Sequence, residues 1–384
     1  MHDIRKLKVL LISPYSTKKV GGIGTWTQNI IEYSKSIPSL DLRFQNTAFF
    51  LKSNLLSSFF SRLLIGIIDS VWIITKTIGN ILIFRPDCIH YTSSASIALF
   101  KDYVCGIVAK LFRINFIIHF RFGRIPALKE KQNWEWKLLC KVVNLASATI
   151  VIDLKSYAAL RAFKNEIYYI PNPISQELSH LIFDKEKTVK LGKVVFVGHI
   201  VASKGVYELV SACLDIGLVK ELVLIGPVLS NTKKDLIEIA NSRQQGMWLK
   251  FRGEVERKEV LTDILDANLL CLPSYTEGFP NVVIEAMALA CPVVGTKVGA
   301  IEEMLDVKGK NPGGICIQPK DKNSLKEALI VILENPTLAN EYGINGRLRV
   351  STKYNITTVF NKYLSVWRND NTFISQHLSK EPNI

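Results

Sequence analysis

The sequence lacks the features that mark several functional classes at sight. Its seven cysteines are odd in number, show no Cys-x-x-Cys pair and lie mostly in apolar stretches such as Leu269-Leu270-Cys271-Leu272, a pattern of buried, reduced thiols and not of a disulfide scaffold or zinc ribbon. The six histidines have neither His-x-x-x-His nor His-Glu-x-x-His spacing, so no metal site is legible. The opening run Lys8-Val9-Leu10-Leu11-Ile12-Ser13 is too short for the hydrophobic region of a signal peptide and lacks a cleavage site. A cytoplasmic location is therefore expected, and the run reads as a first buried strand. Leu55 to Phe84 is the most apolar region, but Arg62, Asp69 and Lys76 interrupt it. Its uncharged runs fall well short of the ~20 residues that span a bilayer, and no transmembrane helix is expected. No basic–aromatic module accompanies the positive charge, which argues against nucleic acid as a partner.

What is present points to two α/β domains. A chain of 384 residues with 48% hydrophobic content exceeds a comfortable single core. Short β-branched runs alternate with helical stretches: Lys8–Ser13, Cys88–Thr92, Phe116–Phe120, Thr149–Asp153 and Tyr168–Ile170, then Lys193–Gly198, Leu222–Gly226, Leu249–Gly253, Leu269–Pro273, Pro292–Thr296 and Ile315–Gln318. Near-continuous apolar strands separated by helices make parallel sheets covered on both faces. Between the two sets, Pro171-Asn172-Pro173-Ile174 and the polar stretch Gln176–Lys190 read as a linker. The expected fold is thus two doubly wound, Rossmann-like domains facing across a cleft, residues 1–172 and 173–357, with ligands at the carboxyl ends of the strands. Charge divides unevenly. Residues 1–180 hold 23 Lys and Arg against 11 Asp and Glu, a net +12 of the total +14, which suits a polyanionic substrate or a membrane surface.

The most informative segment is Glu277-Gly278-Phe279-Pro280-Asn281-Val282-Val283-Ile284-Glu285, which runs into the apolar stretch Ala286–Ala290. Pro280 suits the first position of a helix, where its missing N–H costs nothing, leaving the amides of Gly278 and Phe279 at a helix end of the kind that binds phosphate. Glu285 falls about one turn into that helix. Upstream lies Leu270-Cys271-Leu272-Pro273-Ser274-Tyr275; downstream, Pro292 to Ala300 reads as a strand and a glycine-containing loop. Together these resemble the retaining nucleotide-sugar glycosyltransferases of family 4, with their paired glutamates and B-type glycosyltransferase fold. The resemblance implies a final helix, about 358–384, that returns to the first domain.

The resemblance also implies roles. Glu277 would orient the donor sugar and Glu285 hold the nucleotide ribose, with Gly278, Phe279, Pro280 and Asn281 lining the diphosphate. Lys204, in Gly198-His199-Ile200-Val201-Ala202-Ser203-Lys204-Gly205, would offer the diphosphate a point charge. Family members usually carry arginine where this chain has His199, so Lys204 would bear most of that load. Gly22 and Gly24, in Gly21-Gly22-Ile23-Gly24-Thr25, would let the backbone approach the donor phosphates and the acceptor; a tight strand-to-helix turn explains the same glycines. A histidine near the end of the Phe116–Phe120 strand approaches the reacting sugar in the family. His119 fits by identity and Arg121 by register, while Arg121 with Arg124 also suits an anionic acceptor.

The expected activity is retaining, metal-independent transfer of a sugar from a UDP- or GDP-sugar to an acceptor hydroxyl, with no cofactor beyond the donor itself. The acceptor would be a lipid-linked or polysaccharide precursor of cell-surface glycan. The rivals are a sugar-nucleotide epimerase on the same scaffold and a two-lobed binding protein without catalysis. Peripheral, salt-sensitive contact with an anionic membrane is expected through the first domain, drawing on Lys52, Arg62, Arg113, Arg124, Lys129, Lys131, Lys137, Trp134 and Trp136. Leu55–Phe84 would pack on the first sheet, or in part on lipid.

Overall fold

The computed structural model describes residues 5–15, 21–48, 59–164, 166–181, 189–242 and 248–370, with side chains left out at 59–64 and 179–181. The chain separates into two compact units, 1–173 together with 359–384, and 174–358. Each is built on a six-stranded, all-parallel sheet.

In the first unit β1 (Leu7–Ser13), α1 (Gly22–Ser34), β2 (Leu40–Asn46), α2 (Phe59–Phe84), β3 (Cys88–Ser93), α3 (Ala98–Leu111), β4 (Asn115–Phe120), α4 (Ile125–Lys131), α5 (Trp134–Leu145), β5 (Ala148–Val151), α6 (Leu154–Arg161) and β6 (Ile167–Tyr169) follow in order. The sheet runs β2-β1-β3-β4-β5-β6. All six residues of β3 and five of six in β4 are buried, as expected of inner strands covered on both faces. β2 is absent from the apolar runs picked out in the sequence. Leu40-Asp41-Leu42-Arg43-Phe44 alternates at the edge of the sheet. Asn133 and Asp153 cap α5 and α6 by accepting from the amides of Trp136 and Ser156.

α2 is one 26-residue helix with two unlike faces. Ile73, Thr77, Ile81 and Phe84 are buried, and the Gln45 amide ties β2 to Ile73 O and Thr77 Oγ1, both at 3.0 Å. Ile67, Ile68, Val71, Trp72, Leu82 and Ile83 are exposed. The helix therefore packs on the first unit by one face only. Asp69 does not join an exposed polar stripe; it is buried, and desolvation pushes its carboxyl pKa up. By length and composition Ile65–Phe84 is also apolar enough to cross a membrane, which the charge-interrupted sequence did not suggest.

The second unit holds α7 (Gln176–Leu181), β7 (Lys193–Val197), α8 (Val206–Ile216), β8 (Glu221–Ile225), α9 (Ser230–Asn241), β9 (Leu249–Gly253), α10 (Arg257–Leu265), β10 (Leu269–Leu272), α11 (Asn281–Ala288), β11 (Val293–Thr296), α12 (Ile301–Met304), β12 (Gly314–Ile317), α13 (Lys322–Glu334) and α14 (Pro336–Arg349). Its sheet runs β12-β11-β10-β7-β8-β9. The stretch read as linker is not featureless, because α7 occupies its start and Ile170, Asn172 and Ile174 are buried. After a π-helical turn at Val350–Tyr354 comes α15 (Ile356–Arg368). From Val359 onward α15 belongs to the first unit, where Tyr363 and Trp367 are buried against Trp26 and His90.

Candidate active site

In the second sheet the strand order reverses beside β7, which lies between β10 and β8. Ligands of doubly wound sheets bind at the carboxyl ends of the strands at such a switch point. The loops leaving β7, β10 and β11 converge there. Gly205, at φ +69, ends the 3₁₀ turn Ala202–Lys204. A Cβ on it would lie 2.1 Å from Pro273 O, so only glycine lets the β7 loop come this close to the β10 loop. The Tyr275 amide donates to Ser203 O at 2.9 Å and completes the seam.

That seam delivers Lys204 to Glu277. Lys204 Nζ donates to Glu277 Oε1 at 2.6 Å, and Ser274 Oγ donates to the same oxygen at 2.7 Å. The pair is partly accessible, with side chains 25% and 13% exposed. The sequence reading placed Lys204 as the main counter-charge to the diphosphate. In the structure it already neutralises Glu277, and Ser274, to which the sequence assigned no role, is their third member.

α11 begins at Asn281, one residue later than expected. Pro280 is its N-cap, with φ −72 and ψ 113, not its first helical residue. The opening amides therefore belong to Asn281 and its successors, with Gly278 and Phe279 before the cap. Gly278 O accepts from the Ala300 amide at 2.8 Å, and the Phe279 ring is buried edge-on against Tyr354. Glu285 stands one turn in and is buried. Its Oε1 accepts from Arg257 Nη2 at 2.8 Å. Burial raises the Glu285 pKa and Arg257 pulls it back down. Arg257 was missed in the sequence because it lies 28 residues away at the start of α10, inside the capping box of Glu256 and Glu259. His199 is exposed on the loop after β7.

The first sheet reverses between β1 and β3. Gly22 and Gly24 do not lie in a loop, because α1 starts at Gly22 with Gly21 as N-cap. Beyond Gly24, where a Cβ would sit, there is nothing within 4 Å. His119 is fully buried, one residue before β4 ends at Phe120, and does not itself end the strand. Its Nδ1 lies 3.1 Å from His90 Nε2 and its Nε2 3.3 Å from Arg121 Nη1. Trp26 and Tyr363 pack on its ring. Burial, and then the Arg121 charge, hold its pKa well below the ordinary histidine value. Arg121 follows β4, its amide bonded to Ser93 O at 2.9 Å. Arg124 is not available to a ligand as a bare cation: it pairs with Glu135 at 2.6 Å and donates to Ser96 Oγ at 2.7 Å.

Residues 180–349 match the family described as glycosyl transferases group 1. Over that stretch, short of half of the chain, the sequence is similar to that family. It is 27% identical over 257 residues to TuaC of Bacillus subtilis (strain 168), named as a teichuronic acid biosynthesis glycosyltransferase, an alignment over 64% of this chain and 60% of TuaC. Its fold matches sucrose-phosphate synthase from Thermosynechococcus elongatus with a TM-score of 0.74 at 18% identity, over 96% of this chain and 100% of that one. It also matches HepE of Anabaena, solved in complex with UDP, with a TM-score of 0.68 at 16% identity, over 94% and 100% of the two chains. The two parallel six-stranded sheets thus have the B-type glycosyltransferase fold.

Proposed function

We propose that this protein is a glycosyltransferase that moves a sugar, with retention, from a nucleoside diphosphate sugar to a hydroxyl of a cell-surface glycan precursor. The observation that carries this reading is the Ser274–Glu277–Lys204 constellation at the switch point of the second sheet, one loop from the N-terminus of α11. The bond that breaks joins the anomeric carbon to the diphosphate oxygen, and the bond that forms joins the same carbon to the acceptor oxygen. The acceptor proton leaves on the departing diphosphate. Negative charge grows on that diphosphate, and Lys204 together with the amides opening α11 stabilises it. Glu277, fixed by Ser274, keeps Lys204 in place and turns its second oxygen to the donor sugar. Glu285, held by Arg257, accepts from the ribose hydroxyls. His199 adds a donor where the family usually has arginine. No metal is required by this scheme. The likeness to TuaC supports the glycan assignment, and the UDP bound to HepE supports UDP as the leaving nucleotide. Incubation with UDP- and GDP-sugars and a lipid-linked acceptor tests it. Acceptor-dependent release of nucleotide is expected, whereas a product isomeric with the donor and formed without acceptor overturns it.

The acceptor side would work at an anionic membrane, through part of the surface the sequence suggested together with an apolar face beside it. Trp136 is buried, Arg124 is paired with Glu135, and Lys129 donates to Ala159 O. Lys52 lies outside the described residues, as does the Arg62 side chain. Arg113, Lys131, Lys137 and Trp134 are exposed. Beside them α3 presents Phe100, Val104, Ile107 and Leu111 along one face, next to the exposed face of α2. Sedimentation with anionic vesicles is expected at low salt and lost in Phe100→Ser/Leu111→Ser. Equal binding by that variant removes the α3 face from the proposal.

A further inference from the structure

Arg121 is a buried cation with no counter-charge among the described residues. Its side chain is 7% exposed, its Nε–H has no hydrogen-bond acceptor, and among the described residues no carboxylate pairs with it. The face of Trp26 lies 4.3 Å from the guanidinium carbon and supplies a cation–π contact, which does not satisfy an N–H. Proton counting sharpens the oddity. Trp367 Nε1–H can only donate, and it lies 2.9 Å from His90 Nδ1, so that nitrogen accepts. A neutral His90 then carries its proton on Nε2 and donates to His119 Nδ1 at 3.1 Å. His119 in turn carries its own proton on Nε2, which faces Arg121 Nη1 at 3.3 Å. Arginine cannot accept. Reversing the chain only moves the clash to the indole, and protonating either ring adds another donor. Three contacts are thus served by one proton too many, and donor meets donor at Arg121.

We infer that Arg121 and the Nε2–H of His119 together bind an oxyanion, phosphate or carboxylate, on the acceptor substrate at the carboxyl end of β4. An oxygen about 2.8 Å from each nitrogen spans their 3.3 Å separation, turns the clash into two charge-assisted hydrogen bonds and gives the guanidinium its counter-charge. The word "acceptor" rests on the transfer reading; the anion site does not.

The test follows nitrogen-15 signals of the histidines and thermal unfolding of the whole chain, with inorganic phosphate and glucuronate as probes. In the wild type both rings are expected as neutral Nε2–H tautomers at pH 7, with the His119 Nε2 signal shifting and the melting temperature rising as probe is added. Arg121→Gln is expected to lose both responses yet melt no lower than wild type without probe, because an unpaired buried charge has been removed; Arg121→Lys should keep part of the response. A response of the same size in Arg121→Gln, or none in the wild type, overturns the site. A probe-free melting point lowered by several degrees in Arg121→Gln also overturns it, since the arginine then serves packing. UDP affinity should be unchanged in Arg121→Gln. A tenfold loss of it assigns the anion to the donor diphosphate and overturns the acceptor assignment. Failure to detect sugar transfer would leave the phosphate response standing, so the two readings fail separately.

Discussion

The second unit's site pairs its cations with carboxylates, whereas Arg121 in the first unit has no such partner among the described residues. In the second, each cation of the site meets a carboxylate: Lys204 meets Glu277 at 2.6 Å and Arg257 meets Glu285 at 2.8 Å. In the first, Arg121 meets an indole face and an imidazole. A neutralised constellation is stable while empty, and its groups are aimed before a ligand arrives, which is the arrangement that electrostatic stabilisation of a developing charge requires. An unneutralised one carries a standing cost that a ligand relieves. The comparison separates a site built for turnover from one built for capture, and substitutions in each unit should differ in kind.

The largest effect is expected at the neutralised pair. Glu277→Ala frees Lys204 and removes the group that faces the donor sugar, so turnover should fall by a factor on the order of 10² to 10³, the scale of losing one preorganised electrostatic group. Affinity for the bare nucleoside diphosphate should hold or rise, because Lys204 is released. Glu285→Ala should do the reverse and weaken the nucleotide. Calorimetry beside steady-state kinetics reads both, and equal loss of nucleotide affinity in the two variants would break the division of roles. Lys204→Ala should cost turnover by about 10², while His199→Arg is tolerated; unchanged turnover in Lys204→Ala would remove the lysine from the reaction.

Next in size is a stability effect that shows how the second site is held. Gly205→Ala places a Cβ against Pro273 O in a left-handed backbone position, and a cost of about 3 kcal/mol is expected from strain and overlap together. Urea unfolding measures it. A loss below about 1 kcal/mol would mean that the two loops part easily and that the Lys204–Glu277 contact is not fixed by their seam.

Acid should tell the units apart more gently. His90, with its pKa lowered to about 3 by burial and the Arg121 charge, and His119, lowered well below the ordinary value by the same causes with His90 added, are neutral when folded and bind protons when unfolded. The stability they contribute is complete above the unfolded value near 6.5 and is lost as pH falls from there toward the folded values. Two such groups give a slope of up to about 2.7 kcal/mol per pH unit. Arg121, Trp26, Tyr363 and Trp367 are the groups facing them, and none is an acid that would offset the effect near pH 5. Thermal scans from pH 7 to 4 should show it, with the slope about halved in His119→Gln; an unchanged slope there would show that His119 is not held neutral in the folded chain.

How much of this was legible follows the same division. The second site lies almost wholly in consecutive residues, Pro273 to Glu285, plus one loop ending at Gly205, so the sequence displays it in order. Arg257 was hidden because only the sheet brings α10 to α11. The cluster of the first unit draws single residues from α1, β3, β4 and α15, and His90, Tyr363 and Trp367 carry no local pattern that marks them. His119 looked like a strand-end residue because β4 ends on its neighbour, while its burial depends on α15, more than 230 residues downstream. Of the twelve strands among the described residues, eleven were visible as short runs, including the alternating edge strand β9; β2, with Asp41, Arg43, Gln45 and Asn46 in seven residues, was not.

The smallest predicted change asks what the glycines of the first unit are for. Gly205 in the second unit is demanded by the protein itself, through a backbone that another segment touches. Gly24 is different: it sits inside α1, its absent Cβ would meet nothing within 4 Å, and glycine in a helix interior costs roughly 0.5–1 kcal/mol relative to alanine. Folding alone gives no reason to keep it there. If a substrate approaches the backbone at that point, as the family resemblance implies, Gly24→Ala should raise stability by about 0.5–1 kcal/mol and raise KM for acceptor or donor several-fold. Denaturant unfolding and kinetics on the same preparation decide it. Gain in stability with unchanged kinetics would show that nothing approaches Gly24; loss of stability would show that the site is filled by the protein's own chain.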